Sequence, residues 1–439
     1  MLFLAEVIVK VSSWILQRTG SGGETWPGEL VLRLLPGIKN KLPKLFGRVI
    51  VIAGTNGKTS TTKTIVELLQ NEGSAKGRSA FGQKKVITNP SGANLVNGIV
   101  SSILARKSWG VRGGYWGVFE VDEFSLSAVT AILAPTHIVL LNIVRDQLDR
   151  YGEVRTILDT WGKTLKQFSN ASIIALAADP GIYTMLDLSG LKHISYYGIP
   201  SEFLQQHAFV AGDSLYCYAC NHKLSYSGRY VSHMGAWKCT HCKREPHQLY
   251  TFPKNIFETH THIPSFMLIN LQGVYLLMQQ LGISIEPEEV LSSWKPAYGR
   301  GETKTVKGTN YTFVLGKNPA SWSIVLRDYA RKFTKNPVDI VVLGLNNRIP
   351  DGKDVSWIWD IDMDKSFTRS ARSVWIYGDR AYDMQLRLKE AGIEASRVTP
   401  SAHELFYALK QEHASSVLVV ANYSALLEAR KEILGKSIL

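Results

Sequence analysis

Short apolar runs alternate along the chain with longer segments of helical periodicity. Residues 48–53 (RVIVIA) form a short apolar run rich in Val and Ile, the pattern of a strand buried on both faces of a parallel sheet. A Gly-rich turn follows, and then a helix-compatible stretch from Lys58 to Leu69. Further apolar runs at 115–121, 137–143 and 171–177 are separated by helix-compatible segments such as 153–168. Strands alternating with helices predict a parallel α/β sheet. Between 203 and 262 the texture turns polar, aromatic and His-rich, as in a small insertion, and a helix over 268–282 then resumes the α/β pattern. Residues 295–305 (KPAYGRGETKT) are short of apolar side chains and carry Pro296, Gly299 and Gly301, which predicts a hinge. Beyond it, YTFVL, PVDIVVLGL, SVWIYG and SSVLVVA alternate with helices at 319–334, 380–391, 401–411 and 423–434. That is a second, smaller doubly wound unit of Rossmann-like pattern. The expected division is 1–47 helical, 48–298 central with the insertion at 203–262, and 299–439 C-terminal.

At the N-terminus, Leu4, Val7, Ile8, Val11 and Ile15 recur at helical spacing. Glu6 and Lys10 interrupt the apolar run and no small-residue cleavage site follows, so an amphipathic helix is expected rather than a secretion signal. Docking on the protein's own core is the first expectation for that stripe, and resting on a membrane surface the second. No run reaches the roughly 18–20 apolar residues that span a bilayer, and a cytoplasmic chain is expected, with the inner membrane face as a place of contact.

A length of 439 residues is too great for one ordinary core. Lys and Arg number 50 against 37 Asp and Glu, a net +13, which points to anionic partners without choosing among nucleotides, nucleic acid and acidic lipid. The basic residues form no long run, which argues against a nucleic-acid-binding ATPase.

The sharpest chemical signal is AGTNGKTSTTK at 53–63. Backbone N–H groups of Gly54, Thr55, Asn56 and Gly57, entering a helix with Thr59 and Ser60, can surround phosphate oxygens at the positive end of a helix dipole. Lys58 supplies a charge for the β- and γ-phosphates of ATP, and the Thr59 hydroxyl can ligate magnesium. FEVDEFSL at 119–126 ends the next apolar run, where Glu120, Asp122 or Glu123 can reach a metal held at the loop. NIVRDQLDRYGE at 142–153 offers Asn142, Arg145 and Asp146 at another strand end. NPSGANLVNG at 89–98 opens a helix close by and is expected to touch substrate or phosphate.

The four cysteines fall as Cys217, Cys220, Cys239 and Cys242, in the spacing C-x2-C-x18-C-x2-C. Two such pairs let four thiolates converge on a structural zinc. A closed four-sulfur shell leaves no open position for catalysis, nor a cysteine free to act as a nucleophile.

The short GTNGKT loop resembles the Mur ligase and folylpolyglutamate synthase superfamily. Together with NIVRDQLDRYGE, the stretch NNRIPDGKDVSWIWD at 346–360 and the four-cysteine insertion, it resembles the MurT family of Mur ligases over nearly the whole chain. That resemblance implies an ATP-dependent ligase subunit acting on lipid II. The α-carboxylate of D-glutamate in the stem peptide becomes an acyl phosphate and is amidated to D-isoglutamine, with ammonia from a separate glutaminase subunit, GatD. It makes Glu120 the magnesium ligand, with Asp122 and Glu123 behind it. It sets Asn270 near adenine, with Met267 in place of the family's first Asn, and Gln147 where a His commonly helps hold a second magnesium. It supplies Arg300 at the hinge for a phosphate, and Lys317 and Asn318 at a helix start in the second domain. It also implies that Asp354 reaches into the glutaminase and orients its catalytic His, with exposed Trp357 and Trp359 as interface anchors. Mur ligases that begin with a UDP-binding domain need more chain before the P-loop than is present before residue 54, in keeping with a lipid-linked substrate. The competing reading is an amino-acid-adding Mur ligase or a folylpolyglutamate synthase-like enzyme. It would leave DGKDVSWIWD and the cysteines unexplained.

Overall fold

The computed structural model describes residues 1–19, 25–71, 85–90, 92–106, 114–145, 154–206, 215–296, 299–333, 337–363 and 371–435. Asp146, Gln147 and position 298 lie outside them, and so does the side chain of Arg300.

The chain opens with helices α1 (Leu2–Thr19) and α2 (Trp26–Leu34). Strand β1 (Phe46–Ala53) leads through the Gly-rich turn into α3 (Lys58–Asn71). Then come β2 (Val86–Thr88), α4 (Val96–Arg106), β3 (Tyr115–Val121), β4 (His137–Leu140), β5 (Ser172–Leu176) and β6 (Ile194–Tyr197). These six strands form one parallel sheet in the order β2-β3-β1-β4-β5-β6. Val49, Val51 and Ala53 of β1 face one buried apolar cluster and Ile50 and Ile52 the other, the period-two alternation of a strand covered on both sides. Because β3 and β4 flank β1 on opposite sides, the order reverses there, and the loops leaving all three strands gather at one crevice.

The insertion forms a hairpin, β7 (Leu224–Val231) against β8 (Met234–Cys239), antiparallel. The helix Ser265–Gln280 then covers the sheet from the α3 side. Six further strands, β9 (Arg300–Val306), β10 (Thr309–Leu315), β11 (Val338–Gly344), β12 (Ala371–Tyr377), β13 (Arg397–Thr399) and β14 (Ser416–Ala421), form the second sheet in the order β13-β12-β11-β14-β10-β9. All its neighbours run parallel except β9 against β10.

Two expectations need correction. Most of the segment expected to be a hinge is not one, because residues 300–306 form the edge strand β9. Its run of Thr and charged side chains suits a solvated sheet edge, and the bending falls to Gly299 and Gly301, with φ of 66° and 91°. The stripe expected to dock α1 on the core is split: Ile8 packs against the buried core and Val7 is half-buried, but the rest faces the other way. Leu4, Val11 and Ile15 are exposed, while Ala5, Val9 and Ser12 are buried along with Glu6. Small side chains let the helix axis come close to α2 and α4, and the Ser12 hydroxyl satisfies itself on the Ile8 carbonyl at 2.6 Å. Among the described residues, no helix is long and apolar enough to cross a membrane.

Candidate active site

The turn after β1 depends on two glycines. Gly54 and Gly57 have φ of 138° and 93°. A β-carbon at Gly54 would stand 2.9 Å from the backbone N and O of Asn142, and one at Gly57 only 2.2 Å from Asn270 Nδ2. Side chains there would collide with the loop after β4 and with the helix Ser265–Gln280. The β4 loop clamps the turn on its other side. Thr55 N–H donates to the Asn142 carbonyl at 2.7 Å. Asn56 N–H donates to Asn142 Oδ1 at 3.0 Å, and Asn142 Nδ2 returns a bond to the Asn56 carbonyl at 3.0 Å. Val144 N–H donates to the Thr55 hydroxyl at 3.1 Å.

Lys58 begins α3 and is buried. Its ammonium donates to the carbonyls of Gly54 and Thr55 and lies 3.1 Å from Glu123 Oε2. Thr59, half-buried, and Ser60, buried, complete the first turn. Burial pushes the Glu123 carboxyl up, but the charges of Lys58 and Lys317 act against it, and the net direction is down. Burial and then the charge of Glu123 push neighbouring Asp122 up.

Glu120 is placed differently. It is 3% exposed at the end of β3, and its Oε2 has no hydrogen-bond partner among the described residues. The Asn89 side chain holds its backbone from both sides, accepting from Glu120 N–H at 3.1 Å and donating to the Glu120 carbonyl at 2.9 Å. Gly92 leaves room for the carboxylate, since a β-carbon there would sit 3.0 Å from Glu120 Oε1. An orphaned buried carboxylate oxygen needs a cation. Glu123 already has Lys58, so among these acids Glu120 is the one suited to a metal.

The second sheet closes the crevice. Asn318 N-caps the helix Pro319–Lys332, accepting from Ser321 N–H at 2.9 Å. The Asn318 and Asn56 amides pair reciprocally, at 3.1 and 3.3 Å. A helix N-terminus of one domain thus meets the phosphate-type loop of the other, with Lys317 beside it.

Two further parts were not visible in the sequence. Asp179, after β5, accepts through Oδ1 from Gly181 and Ile182 N–H, and through Oδ2 from Ile143 N–H at 3.0 Å. His233 Nε2, on the β7–β8 turn, lies 3.3 Å from the same Oδ2. The hairpin is also fixed to that turn by Gly235 N–H and the Trp237 indole N–H, which donate to the carbonyls of Ala178 and Ala177. The cysteine-bearing hairpin thereby supports the loop that clamps Thr55 and Asn56. Asp179→Asn turns one acceptor into a donor facing the Ile143 N–H or His233. It should weaken nucleotide binding about tenfold, roughly 1.4 kcal/mol, in a fluorescent ADP titration. Unchanged affinity would mean the clamp does not need this support.

Cys217, Cys220, Cys239 and Cys242 place their sulfurs within 4.8 Å of one another. The Cys217–Cys242 and Cys220–Cys239 separations are 3.7 and 3.5 Å. Four ligands at the ~2.3 Å zinc–sulfur distance stand roughly 3.8 Å apart in a tetrahedron, so the donor set fits. Asp354 is exposed and far along the second domain, its carboxylate accepting from Ser356 N–H at 2.8 Å and from the Ser356 hydroxyl at 3.0 Å. Trp359 is 44% exposed. Trp357, expected to be exposed, is half-buried and packs against Trp322 with ring centroids 6.3 Å apart.

Residues 52–219 match the family model of the Mur ligase middle domain, and residues 315–426 that of the MurT ligase C-terminal region. A lipid II isoglutaminyl synthase (glutamine-hydrolyzing) subunit MurT of Streptococcus pneumoniae is 28% identical, the alignment covering 97% of this chain and 96% of that protein. Its namesake from Staphylococcus aureus is 25% identical over 95% and 94%. In fold the chain is similar to a MurF ligase from Thermotoga maritima in complex with ADP, at TM-score 0.58 and 16% identity, over 93% of this chain and 84% of that one. A pseudomurein peptide ligase type C from Methanothermus fervidus gives 0.57 and 15%, over 91% and 80%.

Proposed function

Because the chain belongs to the Mur ligase family, in its MurT line, we propose that it is the ATP-dependent ligase subunit of a lipid II isoglutaminyl synthase. The observation that carries this reading is the pairing of a clamped GTNGKT loop with a buried, partnerless Glu120 oxygen in one crevice. The MurT relatives that align end to end add the substrate.

In this reading Gly54 to Ser60 and Lys58 hold the triphosphate, Asn270 backs the loop, and Thr59 and Glu120 hold magnesium. Magnesium would supply charge neutralisation at the phosphates. A carboxylate oxygen of the stem-peptide D-glutamate attacks the γ-phosphorus, and the bond to ADP breaks. Ammonia then adds to the acyl carbon, phosphate leaves, and the lost ammonia proton goes to solvent or a nearby base. The chain's own contribution is positioning and charge. Lys58 exchanges Glu123 for phosphate, Lys317 and Asn318 close the crevice from the second domain, and water is kept from a hydrolysable intermediate. Arg300, at the start of β9, is proposed to add a phosphate contact.

The domain division of 48–298 and 299–439 is proposed as two working halves around that crevice. The four cysteines are proposed to hold a structural zinc in a ribbon, which would leave no thiolate for glutamine hydrolysis. Ammonia then comes from a separate glutaminase of the GatD kind, and the complex works on the cytoplasmic side. Removing the metal with a strong thiol-compatible chelator should lower Tm by about 5 °C or more, checked by calorimetry. A chain whose Tm ignores chelation, with no zinc by elemental analysis, would contradict the site.

The decisive experiment is ATP- and glutamine-dependent amidation of lipid II by the chain co-purified with a candidate glutaminase. If ATP is consumed only when a free amino acid is supplied, the amino-acid-adding alternative takes its place.

A further inference from the structure

Helix α1 turns a continuous apolar arc to solvent. Phe3 is 64% exposed, Leu4 50%, Val11 51%, Trp14 53% and Ile15 48%. At 100° per residue these five side chains, with half-buried Val7 between them, fall within about 120° of the helix circumference. The small-residue face of Ala5, Val9 and Ser12 lies opposite, against the fold. The arc is thus turned to solvent, away from the face by which the helix packs on the fold.

Its margins are basic. Arg18 closes the C-terminal end of the arc, its guanidinium 4.2 Å over the Trp14 ring. At the other end the Met1 side chain meets the backbone of Gly37, in a segment whose Lys39, Lys41 and Lys44 are all exposed. The acidic residue of the helix, Glu6, is buried away from this surface. An apolar arc about 20 Å long, carrying Trp and Phe and edged by Lys and Arg, has the composition of a helix lying in the interface of an anionic bilayer.

We infer that α1 docks on the anionic membrane surface, its Phe3, Leu4, Val11, Trp14 and Ile15 arc entering the headgroup layer and the basic margins meeting lipid phosphates. The choice of a bilayer over another apolar partner rests on the lipid-linked substrate proposed above. Docking would restrict the enzyme to the surface in which that substrate diffuses. It would also leave the crevice free, since the arc contributes no residue to it.

The test uses the full chain and vesicles of phosphatidylglycerol or phosphatidylcholine in flotation assays, beside the double variant Phe3→Glu, Trp14→Glu. Both side chains are exposed, so the fold should survive, as an unchanged Tm would show. The wild type should float with phosphatidylglycerol vesicles and release as salt is raised, and the double variant should partition at least tenfold less. In the complex with its glutaminase, amidation of vesicle-embedded lipid II should fall in parallel, while amidation of lipid II in detergent micelles should not. Equal partitioning of wild type and variant overturns the inference. So does a variant that changes oligomeric state by sedimentation, because the arc then covers a second copy or a protein partner. Failure of the functional reading would look different: no amidation in micelles, whatever the vesicles show.

Discussion

Glu120→Gln should reduce ATP-dependent turnover about a thousandfold, roughly 4 kcal/mol of transition-state stabilisation, without loss of the fold. Glutamine matches glutamate in size, so it fits the space that Gly92 leaves beside Glu120 Oε1 and keeps the Asn89 clamp, which engages only the backbone. What disappears is one negative charge from a position where Oε2 has no partner among the described residues. Removing an unpaired buried carboxylate relieves a desolvation penalty, so Tm should hold or rise. Activity lost with stability kept or gained is the signature of a group retained for a ligand. Steady-state kinetics over a magnesium titration, with calorimetry on the same samples, would check it. A variant that stays active at ordinary magnesium would assign the metal elsewhere, with Asp122 next in line.

Glu123 gives the contrast. Its carboxylate is buried against Lys58 at 3.1 Å, so removing it leaves a buried ammonium without its partner, which is strongly destabilising. Two acids three residues apart on one strand end therefore have opposite expected signatures. Local pattern alone cannot separate them, and only the family resemblance set Glu120 ahead of Glu123, because which acid meets Lys58 depends on how β3 lies beside β1.

The same distinction explains what else could be read from the chain. The GTNGKT loop, the strands at 48–53 and 115–121, and the parallel strands of both sheets are local or periodic signals, and periodicity survives without knowledge of partners. The cysteine pairs were legible because ligand spacing is itself local. Strands β2 and β13 have three residues each, too few to show a period. Strand β9 was hidden because an edge strand of Thr, Lys and Glu lacks the apolar face that marks a strand. The α1 error has a different origin. The helix carries a wide apolar arc and a narrow small-residue face, and hydrophobicity alone selects the wide one, whereas close packing on α2 and α4 selects Ala5, Val9 and Ser12. The Asp179–His233 contact joins residues far apart in sequence, and neither stands in a motif.

Asp354→Asn should uncouple the two substrates of the amidation. Glutamine-driven turnover of the complex is expected to fall about a hundredfold or more, while turnover with added ammonium stays within about twofold of wild type. The reasoning starts from exposure: Asp354 presents its carboxylate at the surface of the second domain, where it accepts from Ser356 N–H. Asn keeps an acceptor for Ser356 N–H, so the short turn at Ser356–Asp360 should persist. What Asn lacks is the charge that fixes the tautomer of an imidazole and stabilises its protonated form, a loss that costs ~10⁴-fold where an Asp orients a catalytic His. The glutaminase step would suffer, whereas acyl phosphate formation on Lys58, Thr59 and Glu120 would not. Glutaminase activity and ammonium-driven amidation, measured on one preparation, separate the possibilities. Loss of both would place Asp354 in the architecture of the second domain, and retention of both would leave it outside the partner interface.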